Sequence, residues 1–365
     1  MKKAALLLLT LCAAGLSHET ITTTVLFDRE IVGILDRHCV MCHAEKGPAF
    51  PLETYEQTWL QKRPIRADVI ARHMPPWPAV PGYGQFANDN GLTLRETQFI
   101  VSWVEGLGPR NSGTVFTNTA LLGAELPKEV RAHADFAHWQ LGQPQLTRQT
   151  PANTIEPQQA SEIKRAVIDL GLASERRLRA MEYMPGDRRV VRAAVFTIQE
   201  TGQWIGSWTP WYGFMNLPKG TAIRLPAGSH VVAEIHYRGT KERITDQGDL
   251  GLFFAAEPAP KLVSDLILEA KGEKSRAEAK LTAATTIVAV RPEPTPGVKS
   301  IEVLARKPDG GTVVLLFAKD FNPDWPTPYI LKDPVALPAG TDLSVTAYFA
   351  NAAGGIRLTV SKYGK

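Results

Sequence analysis

The sequence predicts a multidomain fold, a small α-helical domain followed by two antiparallel β-sandwich domains of jelly-roll-like type. Three observations predict it. The chain has 365 residues, where one domain takes ~100–200, and its 44% hydrophobic and 21% charged composition suits buried cores rather than disorder. Up to about residue 110 the apolar residues recur at helical spacing. From about residue 139 short β-branched and aromatic runs alternate with Pro/Gly turns.

The N-terminus predicts export. Lys2 and Lys3 precede an apolar run, Ala4 to Leu16, that closes on small residues near Ser17. This is the pattern of a cleaved secretory signal peptide over 1–17. The run is too short to cross a bilayer, which takes ~20 apolar residues, and no later run approaches that length. The expected compartment is the periplasm, with no membrane span in the mature chain. The net charge of +4 drops to +2 once Lys2 and Lys3 leave, and the basic residues are scattered, so no nucleic-acid partner is expected.

Of the three cysteines, Cys12 leaves with the signal. The remaining two stand in Cys39-Val40-Met41-Cys42-His43. With no other thiols, neither a disulfide framework nor a zinc site can be built. A dithiol redox pair would need a βαβ setting that the flanks do not offer. C-x-x-C-H is instead the attachment site of c-type haem. Two thiols form thioethers with the vinyl groups, and the adjacent His ligates the iron. One covalent haem c is therefore expected on Cys39 and Cys42, with His43 as the proximal axial ligand.

The elements around this motif read in order. Phe27, Ile31, Ile34 and Leu35 form the apolar face of a helix that runs into Cys39. Helices are expected over Glu53–Gln61 and Pro64–His73, with Pro64 in a first helical position. Met74-Pro75-Pro76-Trp77 follows. Thr93-Leu94-Arg95-Glu96 is a capping-box start for a last helix that ends at Gly106 and Gly108. An N-terminal helix, the haem motif, a Met-Pro loop and a C-terminal helix resemble a small class I cytochrome c over 25–110. Met74 is then the expected distal iron ligand, with His73 as its rival. His38 is expected at the surface or on the propionate side.

A polar linker is expected over 111–138. Strands are expected at Arg189–Thr197, His230–Tyr237, Leu250–Phe254, Lys261–Leu268, Thr285–Val290, Ser300–Ala305, Thr312–Ala318, Asp342–Phe349 and Ile356–Val360. Glu269–Lys280 reads as a solvated charged loop. Two turns, Leu225-Pro226-Ala227-Gly228 and Leu337-Pro338-Ala339-Gly340, each precede a strand and suggest two related sandwiches. These are expected over 139–260 and 261–365, the second truncated. The aromatic group Trp204, Trp208, Trp211, Tyr212 and Phe214 is expected to pack a loop onto the first sandwich.

Several stretches carry a further resemblance: Met74-Pro75-Pro76-Trp77 with Tyr83-Gly84-Gln85-Phe86-Ala87-Asn88-Asp89, Trp139-Gln140-Leu141-Gly142, Pro185-Gly186-Asp187-Arg188-Arg189-Val190-Val191, Gly206-Ser207-Trp208-Thr209-Pro210, His236-Tyr237 and Phe321-Asn322-Pro323-Asp324-Trp325. Together they resemble the copper type II, ascorbate-dependent monooxygenases, in bacterial members fused to a cytochrome. The resemblance implies two sandwiches with one copper each. It also implies a His-His pair where this chain has Arg192 and Ala193, a His at His236, and a His-x-His where it reads Val290-Arg291-Pro292. Only His236 remains, a remnant copper position. Copper is therefore not expected, and no residue is assigned a catalytic role. Glu234 and His236 share one strand face and form a carboxylate–imidazole candidate, while His230 is too far along to join them.

The expected function is single-electron transfer through one covalent haem. The β module would serve as docking or structural partner to a redox protein or membrane electron-transfer complex. The alternative is a haem-linked oxidoreductase or monooxygenase acting through that module.

Overall fold

A computed structural model describes residues 23–112, 138–256, 261–272, 274–293, 296–321, 325–350 and 354–364. The segment expected to be a signal peptide, and nearly all of the expected linker, lie outside the described residues. What is described is mostly β, with several antiparallel sheets in the C-terminal part and a small helical region before them. No helix among the described residues is long and apolar enough to cross a membrane.

The helical region begins with a widened turn at Phe27–Ile31 that runs into α1 (Val32–His38). It continues through α2 (Tyr55–Leu60), α3 (Lys62–Ile70) and α4 (Leu94–Glu105). The expected apolar face is the buried one: Phe27, Ile31, Ile34 and Leu35 pack with Tyr55, Ile100 and Trp103. Phe27 meets Tyr55 edge to face at 5.2 Å, and the Tyr55 hydroxyl donates to the Gly108 carbonyl. Pro64 stands at the third helical position rather than the first, because α3 starts at Lys62 directly after α2. It still falls in the first turn, where a missing N–H leaves no bond unmade.

Thr93 caps α4 through a complete capping box with Glu96. The other Glu96 oxygen accepts a bond from Arg37 at 2.8 Å and lies 3.3 Å from His38 Nε2, so one carboxylate ties α1 to the start of α4. Burial by itself would raise this carboxyl. The Thr93 backbone N–H, Arg37, the Thr93 hydroxyl and His38 outweigh it and hold Glu96 at about 2. A carboxylate with a depressed folded value stabilises above its ordinary value of 4.5 and loses that contribution as pH falls towards 2. Glu96→Ala in the full chain should therefore cost about 0.5–2 kcal/mol in urea unfolding at pH 7, the range of a lost cap. The difference from wild type should shrink below pH 4.5. An equal difference at pH 7 and pH 2.5 would contradict this account.

Two pairs of sheets follow, each pair on its own core. In the first, one sheet joins Leu146–Gln149, Asp249–Phe254, Arg176–Met184, Thr221–Leu225 and Lys261–Leu262, with Phe214–Asn216 added to Arg176–Met184. The facing sheet joins Glu162–Asp169, His230–Tyr237, Val191–Ile198 and Trp204–Trp208. Met181, Tyr183, Phe196, Trp208, Ile235 and Leu252 fill the space between them. In the second pair, Ser264–Ala270, Ile356–Gly364, Thr285–Pro292 and Tyr329–Leu337 form one sheet. Arg276–Lys280, Asp342–Phe349, Val298–Arg306 and Thr312–Lys319 form the other, over a core of Val290, Ile301, Val303, Leu316, Leu343 and Leu358. Neighbouring strands run antiparallel except Lys261–Leu262, which pairs in parallel with Thr221–Leu225.

The two Leu-Pro-Ala-Gly turns have the same job. Each lifts the chain from one sheet of a pair to the facing sheet, and the residue after each Gly bonds back to the Pro carbonyl, Ser229 to Pro226 and Thr341 to Pro338. The charged stretch expected as a loop is corrected. Its ends belong to strands, and Arg276–Lys280 is an edge strand on Asp342–Phe349 with Ala277 facing inward. An edge strand with one covered face needs only small residues at alternate positions and tolerates charge elsewhere.

Candidate functional site

The two thiols are brought together by the end of α1. Cys39 is its C-cap, and its carbonyl accepts the backbone N–H groups of both Cys42 (3.0 Å) and His43 (2.9 Å). This single turn presents two unbridged cysteines three residues apart. Gly47 lets the loop return against it, since a Cβ there would overlap the Cys42 carbonyl oxygen. Burial pushes the Cys39 thiol up to about 12, with Cys42 and Glu96 adding to the shift. It pushes Cys42 up to about 11 against the pull of Arg188 and Arg192. Thiols held in the protonated form are poor nucleophiles for dithiol exchange.

His43 is oriented by one bond. Its Nδ1 lies 2.8 Å from the Phe50 carbonyl oxygen, and the Phe50 ring packs on it at 4.7 Å. A carbonyl accepts only, so Nδ1 carries the proton and Nε2 keeps its lone pair. Burial lowers the His43 pKa, while the Phe50 carbonyl and Asp68 oppose this, which favours the neutral, ligating form. His38 sits instead between Asn90 and Glu96, away from any ligating role.

Met74 follows a tightly closed helix end. His73 N–H bonds the Asp68 carbonyl and Arg72 N–H the Val69 carbonyl, the paired closure of a Schellman end, with Arg72 at φ +59 where Gly is usual. The Arg72 guanidinium then bonds the Ala79 carbonyl at 3.1 Å and closes the Met-Pro loop. The His73 side chain is 68% exposed and lies 3.6 Å from the Asp68 carboxylate. Met74 is half-buried and lines a cavity of about 470 Å³.

The chemistry of the Cys39–His43 turn suits the attachment of one covalent haem c. Two un-ionised thiols would take the vinyl groups, His43 Nε2 is free for iron, and a thioether opens on a cavity. Cys39, Cys42 and His43 do not line that cavity. Asp68 lies between the two sides: its charge reaches His43 and it pairs with His73.

Comparison with known proteins adds little. No protein-family model matches the sequence, and no curated protein matches it. Among solved structures, similarity is found to the major capsid protein P2 of bacteriophage PM2, at TM-score 0.28 and 8% identity, covering 59% of this chain and 97% of that one. Allantoicase gives TM-score 0.20 and 12% identity over 56% and 78% of the two chains. The PBSX exported protein XepA gives 0.18 and 7% over 64% and 90%. At these scores the likenesses carry no weight for fold or function.

The residues at the expected copper positions have other partners. Ala193 is the cross-strand neighbour of His236. Arg192, at the bulge beside them, bonds the Arg189 carbonyl at 3.0 Å and the Pro48 carbonyl of the helical region at 3.3 Å. His236 Nε2 lies 3.4 Å from Glu234 Oε1 without completing a well-formed hydrogen bond, and Arg165 bonds the same Glu234 at 2.8 Å. His230 pairs separately with Glu200. Arg291 reaches Glu293 and Thr359 and stands over the Trp204 ring. Among the described residues no three His, Cys, Asp or Glu side chains gather as a metal site.

Sequence reasoning did not anticipate how the helical region is held. Trp77, Ala79 and Phe86 belong to the core of the second sheet pair, where Trp77 and Phe86 each pack on Tyr329 at a tilt with ring centres 5.3 Å apart. Asn88 makes two buried bonds, to the Pro328 carbonyl and from the Ile330 N–H. Arg188 bonds the Met41 carbonyl inside the cysteine loop and the Pro210 carbonyl. The available signal was an excess of large apolar residues between Trp77 and Phe86 for a solvent-facing loop.

Proposed function

We propose that this chain is a periplasmic c-type cytochrome that carries single electrons. The observation that carries the reading is the Cys39–His43 turn, with two unbridged thiols and an imidazole whose Nε2 is left free by the Phe50 carbonyl. Bound haem c would supply reversible one-electron exchange between Fe(III) and Fe(II). Cys39 and Cys42 would attach the group, and His43 and Met74 would be its iron ligands. The β units hold the Cys-His loop and the Met loop in place and offer the surface on which a redox protein or a membrane electron-transfer complex docks. The test is haem retention: protein matured in a periplasm should keep its haem through denaturation and acid–acetone extraction. Release of the haem by extraction would refute covalent attachment.

A copper-free β module is part of the same reading. Imidazole and thioether are the ligands suited to copper cycling between two charge states. Of those implied by the resemblance only His236 is present, with a carboxylate 3.4 Å away and Arg165 closing on that carboxylate. After dialysis against copper the protein should contain iron and no tightly bound copper, and ascorbate should drive no substrate-dependent oxygen uptake. Two coppers per iron, with oxygen consumption, would instead establish the oxidoreductase alternative.

A further inference from the structure

Three arginines cluster at the start of the strand Val191–Ile198, and they go to different places. Arg189 is paired with carboxylates, 2.7 Å from Asp187 and 2.8 Å from Glu242. Arg188 and Arg192 turn to the cysteine loop. The Arg188 guanidinium donates to the Met41 carbonyl at 3.2 Å and to the Pro210 carbonyl at 2.6 Å, and it stands 5.8 Å over the Trp208 ring. Arg192, buried at the bulge, donates to the Pro48 carbonyl at 3.3 Å. Met41 lies between the two thiols, and its side chain packs on the core of the second sheet pair. Next to Pro48, the Ala49 N–H bonds the Cys42 carbonyl at 3.2 Å. Two guanidiniums from one end of one strand therefore grip both arms of the turn that carries Cys42 and His43, and the charge of each reaches the Cys42 thiol.

We infer that Arg188 and Arg192 are positioning residues that tune the haem from the first sheet pair, pinning carbonyls of its attachment loop and fixing two positive charges at the edge where Cys42 would hold it. This rests on the cytochrome reading. Fe(III) carries one positive charge more than Fe(II), so cations fixed nearby disfavour oxidation. Arg188 is half-buried and Arg192 buried, and charges so placed are screened little by salt. Arginine suits the task because its planar fork can hold two carbonyls at once, as Arg188 does. Arg192 also stands where the resemblance implies a copper histidine, so the same position of the β module serves the haem loop instead.

The test uses the full haem-loaded chain. Arg188→Gln, which keeps a donor and removes the charge, should retain covalent haem and its far-ultraviolet circular dichroism. At a fixed solution potential it should shift the Fe(II)/Fe(III) ratio roughly tenfold towards Fe(III), a fall in midpoint potential of about 59 mV for a one-electron couple. Arg188→Lys keeps the charge and should recover most of that shift. Arg192→Gln should move the potential in the same direction, and it carries the test by itself if Arg188→Gln fails to fold. If the glutamine variants carry covalent haem at the wild-type potential, or if Arg188→Lys falls as far as Arg188→Gln, the inference falls while the cytochrome reading stands. If wild-type protein holds no covalent haem, both fall together.

Discussion

A chain carrying Cys39→Ser and Cys42→Ser is expected to reach the periplasm with no covalent haem at all, while each single variant keeps at most one thioether. The expectation follows from the turn that ends α1. Its two thiols are the only ones among the described residues, they are not bridged, and they are half-buried on a loop pinned by the Cys39 carbonyl. A hydroxyl in place of a thiol cannot form the thioether link. Noncovalent haem held through His43 alone would be lost, because one imidazole bond does not survive denaturation. The measurement is haem-associated peroxidase staining after denaturing electrophoresis, with intact mass as a second readout. Equal staining of wild type and the double variant would overturn the assignment. The serines add a control on the fold: the thiols bond nothing else that is described, so circular dichroism of the β module should be unchanged.

Met74→Ala is expected to have the second largest effect. On the cytochrome reading, loss of the thioether would remove an iron ligand that favours Fe(II), so the midpoint potential should fall by on the order of 0.1 V or more. Carbon monoxide and cyanide should then bind readily where wild type resists them. His73 and Met74 line the same cavity, but His73 is 68% exposed and 3.6 Å from the Asp68 carboxylate, whereas Met74 is half-buried. His73→Ala should accordingly leave potential and spectrum near those of wild type. Should Met74→Ala leave both unchanged and His73→Ala alter them, His73 is the ligand.

The pattern of the chain determined the local elements. Apolar residues at helical spacing gave α1 its buried face, and Thr93 with Glu96 placed the start of α4, because a capping box needs only residues three apart. His230–Tyr237 and Asp342–Phe349 were legible from alternation alone. Three of the strands that were missed have a physical reason for it. Trp204–Trp208 is buried at all its positions, so it does not alternate. Tyr329–Leu337 contains Pro334, which argues against a strand unless register is broken nearby, as it is between Ile287 and Ala289 of its partner. Arg276–Lys280 hides a two-residue period behind charge.

For the site, sequence by itself determined the chemistry: two thiols and an imidazole at a spacing that one helix end folds into a single turn. These contacts are local, and local contacts are readable from spacing. Only the tertiary structure decided where the rest of the site is built. That Arg192 spans from a β bulge to Pro48, that Trp325 meets it, and that Trp77 and Phe86 are buried among strands more than two hundred residues later depend on how separate sheets pack. No periodicity encodes such contacts, because their partners are set by the docking of whole faces rather than by the period of any one segment.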